Sequence, residues 1–559
     1  MHNRKFTTFN SRNNHSRDVN HNKQLMKSNT KYNIEELFEI YSKTKTIIQD
    51  DFNSQINFDH VNPFWTNILS KRENFPSFTD TLSFLNNNSA FGLGKRMEGE
   101  LESERESFKD AVLAVNKEKF NSLKDKLSES LIGFPKYFET DSLNGSTSFI
   151  ENIISTHRLI NAIDKHLSVK KKINILEIGA GWGAVMNQLI QHYGDRINKI
   201  AICDLHENLF ISSFHLQSVF PDRNVDFIPQ NESISGQDFS LIFCSPNRIE
   251  NLDIEFDLIF NMISFQEMNL DVIDNYMLYI QNHLSKDGIV YSENGVQVKN
   301  PNKLAEKASD YGYSSNFKIL SLQNGARFCP HLYFGNKHEI LLCHKNESDV
   351  LVNPKHLDAL CFIMNLRLDD NINEIKANTI SGKNSPQEIE ILELLHDFFD
   401  TSDKSTKQVV LKKLEQSSNI LIHQYLLALY YISQKKFKKA FPILISIEPE
   451  LSGLVKINVL CYIGIIDKTK QTGILEQVKM FSPEMLTTAK ATFNTRKKSK
   501  RNMVDKITKQ LNLDVKKWLG YSSYQLSFLP SILKNRILNK VELKVVKMKQ
   551  KNTIPFYLK

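Results

Sequence analysis

Four residues with chemically specific spacing lie close together near the middle of the chain: Glu177, Gly179, Gly181 and Gly183. Glycine has no Cβ, so a glycine-rich loop can turn tightly and lie directly against a ligand. A dinucleotide-binding loop has the spacing G-x-G-x-x-G and holds a pyrophosphate at a helix N-terminus. Here the spacing is G-x-G-x-G, and the Glu177 carboxylate would repel a pyrophosphate. This carboxylate suits a ligand with a cationic amino-acid end. The remaining alternative is a loop that binds no ligand and is kept only for structure.

The residues around this loop predict a strand, a turn and a helix. Ile173–Ile178 is a short apolar run typical of a buried parallel strand. Residues 185–193 place apolar side chains at helical spacing, and Gly194 follows where a helix C-cap belongs. A strand, a glycine turn and a helix form the first unit of a nucleotide-binding α/β domain.

Acidic and polar residues follow the next two predicted strands. Asp204 ends the strand at 197–204, close to the offset of about 20 residues at which an acid meets ribose hydroxyls. The alternative role for Asp204 is a helix N-cap. A third strand at 225–228 leads into a loop where Asn231 and Glu232 are expected beside an adenine, or are ordinary polar loop residues.

The fourth predicted strand begins at Phe256 and breaks into a polar turn that contains Ser264, Gln266 and Glu267. Ligands bind at the carboxyl ends of parallel strands, so we expect these three side chains to face the cleft. A helix at 271–284 follows. A fifth strand at 288–294 and an antiparallel pair at 317–322 and 338–343 complete the predicted sheet.

Two sets of motifs resemble known families. The pattern E-x-G-x-G-x-G at 177–183 resembles the first motif of class I S-adenosylmethionine-dependent methyltransferases. The letters S-F-Q-E-M at 264–268, followed by D-N-Y at 274–276, resemble a family of sugar O-methyltransferases found with bacterial surface-polysaccharide genes. Residues 137–146 and 155–158 resemble the N-terminal segment of that family. The resemblance spans about residues 130–345, and it implies an α/β, Rossmann-like sheet of seven strands with S-adenosyl-L-methionine as cofactor.

This cofactor gives the polar residues expected roles. The residues expected to bind the donor are Glu177, Gly179, Gly181, Gly183, Asp204, Asn231, Glu232, Asn261 and Ser264. The residues expected to bind the sugar acceptor are Gln266, Arg158, Arg327 and Tyr333.

Methyl transfer to a sugar hydroxyl requires an aligned acceptor oxygen and a general base. Glu267 is the first candidate base because it follows the fourth strand beside the donor. His331 is the second, since an ordinary histidine pKa of about 6.5 suits a base, and His157 is the third. We find no carboxylates with metal-ligand spacing, so no metal is expected.

The chain of 559 residues is 41% hydrophobic, which is enough for two or three packed domains. We predict a disordered basic tail at 1–32, a helical cap at 33–150 and the methyltransferase domain at 151–346. The cap could equally be a plain packing extension. A helical domain at 347–490 and a basic segment at 491–559 follow. Within the helical domain, blocks about 34 residues apart resemble tetratricopeptide repeats, and a generic helical bundle is the alternative.

Charge and cysteine usage limit the partners and the compartment. The net charge is +6 over residues 1–32 and +14 over residues 495–559, which leaves −12 for the body between them. An acidic body argues against a nucleic-acid groove. The basic C-terminal segment is expected either to bind an anionic membrane surface or another protein, or to be a solvated face. Six scattered cysteines and no apolar signal core predict a cytoplasmic protein.

Two other functions remain open at this point. The chain could be a methyltransferase-like scaffold within a glycan assembly complex, bound to a partner through its C-terminal helices. It could also methylate protein or RNA, although the acidic body and the S-F-Q-E-M turn count against that substrate class. A sugar O-methyltransferase in surface polysaccharide biosynthesis is the function we expect.

Overall fold

The computed structural model describes part of the chain. The described residues are 34–52, 77–79, 81–82, 127–130, 132, 145–228, 233–295, 307–313, 317–324, 337–365, 370–400, 404–416, 421–433, 436–450, 459–460, 462–464 and 466–481. The predicted tail at 1–32, most of the cap at 33–150 and the basic segment at 491–559 lie outside them.

An eight-stranded sheet forms the centre of the molecule, in the order β3-β4-β2-β1-β5-β6-β8-β7. Neighbouring strands are parallel except where β8 pairs with β6 and β7. The strands are β1 Ile173–Ile178, β2 Ile197–Cys203, β3 Asn224–Phe227, β4 Ser240–Cys244, β5 Phe256–Met262, β6 Leu284–Gly295, β7 Phe317–Asn324 and β8 Lys337–His344.

The prediction of seven strands was wrong, because the sheet has eight. The expected third strand is the edge strand β3, and the unpredicted strand β4 lies between β3 and β2. All five residues of β4 are buried. A short apolar run without alternation carries little periodic signal, which is why the sequence pattern did not single it out.

Helices cover both faces of the sheet. The helices are α1 Ile34–Phe52, α2 Thr147–His166, α3 Ala184–Tyr193, α4 His206–Val219, α5 Leu270–His283, α6 Pro354–Asn365, α7 Asp370–Ser381, α8 Pro386–Asp400, α9 Lys404–Gln416, α10 Leu421–Ser433, α11 Phe437–Ile447 and α12 Gln471–Phe481. No helix among these residues is both long and apolar enough to cross a membrane.

The two faces of β1 belong to different hydrophobic cores because side chains alternate along a strand. Ile173 and Ile175 pack with residues of α2 and α3 on one face. Leu176 and Ile178 belong to a second core, which includes α5 and continues into the C-terminal helices. Helix α3 ends at Gly194, as the sequence predicted, and the Gly194 amide caps it by donating to the Ile190 carbonyl.

The second core is continuous across residue 346, where we predicted a domain boundary. Leu357 and Leu360 of α6 are buried with Ile319 and Leu342 of the sheet. Asp358 accepts hydrogen bonds from the Ser309 amide and hydroxyl, at 2.9 and 2.8 Å. Helices α6 and α7 therefore pack against β7 at the edge of the sheet, and a separate repeat domain after residue 346 stays a prediction.

The N-terminal helix α1 packs against α4. The ring of Tyr41 meets that of Phe210 edge to face, with centroids 5.7 Å apart. Trp182, from the glycine loop, packs against the same aromatic cluster. The described part of the predicted cap therefore lies beside the loop.

Candidate active site

The site lies at the carboxyl edge of the sheet, between β1 and β5. Strands β2 and β4 lie on one side of β1, and β6 lies on the far side of β5, so the strand order runs in opposite directions from this point. A crevice forms at such a reversal of strand order, and ligands of open α/β sheets bind there. The glycine loop follows β1, and the polar turn at Ser264–Glu267 follows β5, so both predicted motifs meet at this point.

Two glycines of the loop are required for different reasons. An ideal Cβ on Gly179, where φ is 76°, would lie 2.0 Å from the Ser264 hydroxyl oxygen, so this position must be glycine for the loop to approach β5. At Gly181 φ is 59°, and an added Cβ would meet no atom within 4 Å. Gly181 therefore borders open space, as expected of a backbone that lies against a ligand.

Asp204 fixes the position of this loop. Its Oδ2 accepts the Gly181 amide at 2.7 Å, and its Oδ1 accepts the Leu205 amide at 2.7 Å and the Asn208 side chain at 3.1 Å. Helix α4 has Leu205 at its N-cap position, so Asp204 is not the capping residue. A carboxylate has about four acceptor positions, so one remains for a ligand hydroxyl.

The pKa of Asp204 is raised from 3.8 to about 6 because burial disfavours its charged form, against its hydrogen bonds with Asn208, Gly181 and Leu205. In the ligand-free protein, ionisation of the Asp204 carboxyl opposes folding. The folded protein therefore loses stability as the pH rises from 3.8 through about 6, by roughly 3 kcal/mol at ~1.36 kcal/mol per pKa unit.

Ligand binding to Asp204 should depend on pH with the opposite sign. A ribose hydroxyl binds best to the ionised carboxylate, so donor affinity should fall by up to about tenfold per pH unit below about pH 6. Calorimetry with S-adenosylmethionine between about pH 5 and about pH 8 measures this slope. Asp204→Asn should bind more weakly and show a flat profile. An equal slope in both proteins would contradict the role of Asp204.

Glu177 is buried, with 3% of its surface exposed, next to the last residue of β1. Its neighbours across the sheet are Ile202 in β2 and Phe260 in β5. Burial of a carboxylate in such surroundings is costly unless other groups compensate its charge. Its position two residues before Gly179 fits the predicted interaction with a cationic ligand group.

Asn261 and Ser264 join β5 to the glycine loop. The Asn261 side-chain amide donates to the Ile178 carbonyl at 2.8 Å and to the Ser264 hydroxyl oxygen. The Ser264 hydroxyl donates to the same carbonyl at 3.2 Å. Both residues therefore support the end of β1 in this structure, and direct contact with a donor stays a prediction.

The two remaining polar residues of the turn, Gln266 and Glu267, differ in role. The Gln266 side-chain oxygen accepts the Gly295 amide at 2.7 Å, so this side chain ties the turn to β6. Glu267 is half-buried at the end of the turn, where its amide donates to the Ser264 carbonyl at 3.0 Å. Asn269 occupies the N-cap position of α5, so Glu267 does not cap that helix.

Arg158, an expected acceptor contact, forms a salt bridge of 2.9 Å with Glu339. Glu339 in β8 lies opposite Glu293 in β6, and Glu293 accepts the Ser155 hydroxyl at 3.1 Å. Burial raises the pKa of Glu339, and Arg158 opposes that shift. Sequence analysis missed both acids, although Glu293 lies in the polar end of the predicted fifth strand.

His157, the third candidate base, is poorly suited to hold a proton. Burial, with the charges of Arg158 and His192, lowers the pKa of His157 to about 4. The other predicted site residues, Asn231, Glu232, Arg327, His331 and Tyr333, lie outside the described residues.

The strand next to β2 is β4, so the loop after β4 takes the place expected for the loop after β3. It begins with Ser245, whose hydroxyl donates to the Asn247 side-chain oxygen at 2.6 Å. Sequence analysis missed this loop together with β4. Within the described ranges, no three His, Cys, Asp or Glu side chains are grouped to hold a metal ion. The four cysteines described there, Cys203, Cys244, Cys343 and Cys361, are free thiols.

A scan against protein-family models finds no match, and a search of curated proteins finds none either. Solved structures with similar folds do exist. One is a S-adenosylmethionine-dependent methyltransferase from Clostridium acetobutylicum, which is 14% identical with a TM-score of 0.26, over 35% of this chain and 92% of that one.

Two further structures are similar at the same level. The mitomycin 7-O-methyltransferase MmcR is 10% identical with a TM-score of 0.25, over 36% of this chain and 55% of that one. A magnesium protoporphyrin IX methyltransferase from Synechocystis with bound SAH is 9% identical with a TM-score of 0.26, over 35% of this chain and 85% of that one. The match with MmcR thus spans about half of that protein. Likeness this distant leaves the chemistry to be argued from the residues of this chain.

Proposed function

We propose that this chain binds S-adenosylmethionine and transfers its methyl group to a hydroxyl of a sugar acceptor. The observation that carries the proposal is the glycine loop at the reversal of strand order, where a Cβ on Gly181 would enter open space. The positive φ of Gly181 already favours glycine, so what supports a ligand is the place of this open space, at the carboxyl edge of the sheet beside the buried Glu177 and Asp204.

The charges around the loop support this donor over a dinucleotide. Glu177 and Asp204 are both buried carboxylates, on either side of the loop in β1 and directly after β2. A pyrophosphate against the loop would meet the like charge of Glu177, whereas an acid in the position of Asp204 suits the ribose of either ligand. Glu177 would hold the ammonium of the donor, Asp204 a ribose hydroxyl, and the Gly181 backbone would lie against the chain between them.

Bound S-adenosylmethionine supplies a methyl group already activated by a sulfonium. The protein then has to align the acceptor oxygen, exclude water and take up the hydroxyl proton. Glu267 is the residue we assign to the proton, because it is half-buried after β5 and is not used as a helix cap. Asn261 and Ser264 hold the end of β1 against this turn, and these bonds fix the position of the donor loop relative to Glu267.

A sugar is the acceptor class that the S-F-Q-E-M turn and the charge distribution favour. The body of the chain between its basic ends has a net charge of −12, which disfavours a polyanionic nucleic acid. The resemblance of the turn to sugar O-methyltransferases suggests a role in surface polysaccharide biosynthesis.

Two measurements test the proposal. Calorimetry of the full chain with S-adenosylmethionine should give binding, and NAD should give none. The chain incubated with donor labelled in its methyl group should then label a polysaccharide extract, and base-stable label in sugar fractions would indicate an O-methyl ether. Binding of NAD alone would contradict the donor assignment, and label confined to protein or RNA would contradict the acceptor class.

A further inference from the structure

Asn294 lies at the end of β6, and none of its surface is exposed. Its side-chain amide group donates to the Asn261 side-chain oxygen at 2.9 Å and to the Ser292 hydroxyl oxygen at 2.8 Å. Its side-chain oxygen accepts the Gln266 backbone amide at 3.3 Å. A buried amide that loses its partners is costly, so these three bonds fix both the position and the orientation of this side chain.

Asn261 in β5 extends this arrangement toward β1. Its side-chain oxygen accepts the Asn294 side-chain amide and, at 3.2 Å, the Phe265 backbone amide. Its own side-chain amide donates to the Ile178 carbonyl at 2.8 Å. Ile178 is the last residue of β1 and directly precedes Gly179. Two side-chain amides therefore connect the end of β6, through β5, to the start of the glycine loop.

Strand β6 also holds the turn at Ser264–Glu267 through its backbone. The Ile263 amide donates to the Glu293 carbonyl at 2.7 Å, and the Gly295 amide donates to the Gln266 side chain at 2.7 Å. Such backbone groups are present whatever side chains β6 carries. The bond to the Gln266 backbone amide, in contrast, depends on the residue type at 294. A fully paired, buried amide rigidifies its surroundings and specifies one arrangement of them.

The end of β6 is supported in turn by two tyrosines from the segment that follows it. The Tyr311 hydroxyl donates to the Gly295 carbonyl, and the Tyr313 hydroxyl oxygen lies 2.6 Å from that of Ser292. The two rings stack, with their centroids 5.2 Å apart. Gly295 is thus bonded through its carbonyl to Tyr311 and through its amide to the turn.

We propose that Asn294 is a positioning residue for methyl transfer, because it fixes the turn that carries Glu267 relative to the glycine loop. The proposal rests on the proposed function and adds a residue to its mechanism. Asn294 has no exposed surface, so it acts through the turn and not by contact with donor or acceptor. The alignment of reacting groups is sensitive to distance, and a misplacement of about 1 Å can slow a reaction by about 100-fold.

The test compares Asn294→Ala with the wild-type chain and with Gln217→Ala as the matched control. Gln217 is buried near the end of α4, where its side-chain amide donates to the Thr44 hydroxyl and the Ser213 carbonyl, both at 3.1 Å. Both substitutions remove a buried amide with paired N–H groups, so both should lower the Tm.

The two readouts are calorimetry with S-adenosylmethionine and the single-turnover rate of label transfer to the polysaccharide extract at saturating donor. For Asn294→Ala we expect a rate roughly 30- to 100-fold lower than wild type, because Glu267 is misplaced. Donor affinity should stay within about threefold, since Asn261 keeps its bond to the Ile178 carbonyl. Gln217→Ala should leave both quantities within about threefold of wild type, because it does not touch the turn.

A second pair of variants removes only a hydroxyl and keeps the shape of the ring. Tyr311→Phe withdraws the bond to the Gly295 carbonyl, and Tyr279→Phe withdraws a similar bond to the Leu252 carbonyl at 3.2 Å. Both tyrosines are buried. Tyr311→Phe should slow transfer by about fivefold or more without loss of donor affinity, and Tyr279→Phe should stay within about twofold of wild type.

The outcomes separate this proposal from the one on which it rests. If the wild-type chain neither binds S-adenosylmethionine nor labels the extract, the proposed function fails and this inference fails with it. If wild type does both and Asn294→Ala transfers label within about threefold of the wild-type rate, only the inference is overturned. A rate loss that Gln217→Ala shares also overturns it, because that pattern indicates a general loss of stability.

Two further results would overturn the inference alone. One is a fall in donor affinity as large as the fall in rate, since Asn294 would then support the donor site and not the turn. The other applies if Asn294→Ala does not fold. The tyrosine pair then decides, and equal rates for Tyr311→Phe and Tyr279→Phe would show that the end of β6 does not position the turn.

Discussion

Gly181→Val is expected to abolish binding of S-adenosylmethionine, with affinity at least about 100-fold weaker. The valine side chain would enter the open space in front of the loop, where an added Cβ meets no atom within 4 Å. The fold should survive because nothing in the protein is displaced, although a branched residue at a φ of 59° costs about 1–2 kcal/mol. Calorimetry of the folded variant measures the loss.

Gly194 provides a matched control for that strain. It has a φ of 55°, it also borders open space, and it lies at the far end of α3, away from the loop. Gly194→Val should lower the Tm at least as much as Gly181→Val while donor affinity stays within about threefold of wild type. If both variants bind normally, the space at Gly181 is not the donor site.

The parts of the site that could be predicted from sequence are those with local signals. The glycine loop is one, because three glycines in alternating positions after an apolar strand predict a tight turn, and all three have a positive φ in the structure. Asp204 is another, since an acid at the end of the next strand must return to the same edge of a parallel sheet. The turn after β5 was also placed correctly, and a polar break in an apolar strand is again a local signal.

The rest depends on distant parts of the chain, which local patterns cannot reveal. The sequence gives no sign that Arg158 pairs with Glu339 of β8, which lies 181 residues further along the chain, and its contact with an acceptor stays a prediction. The sequence likewise gives no sign that the Gln266 side chain accepts a hydrogen bond from the Gly295 amide at the end of β6. The positive φ of Ile263, 68°, accompanies a bond from its amide to the Glu293 carbonyl of β6, and the sequence pattern predicts neither.

Glu267→Gln should slow methyl transfer by about 10²–10⁴-fold and leave donor affinity nearly unchanged. Glutamine keeps the size and the hydrogen-bonding ability of the side chain but cannot take a proton, and loss of a general base has an effect of this size. The backbone of the turn is held by the Glu267 amide and by neighbouring side chains, so its shape should persist. The measurement is the single-turnover rate of label transfer to the polysaccharide extract, beside calorimetry with the donor.

His157→Gln, in α2, is the control for a candidate base whose chemistry is unsuited to the role. With a pKa of about 4, His157 takes up a proton poorly near neutral pH, so its substitution should change the rate by less than about fivefold. The competing explanation for Glu267, that it caps α5, is disfavoured because Asn269 holds the cap position. A Glu267→Gln rate within about threefold of wild type would exclude it as the base. A parallel fall in donor affinity would instead make Glu267 part of the donor site, because a pure base acts on the acceptor proton alone.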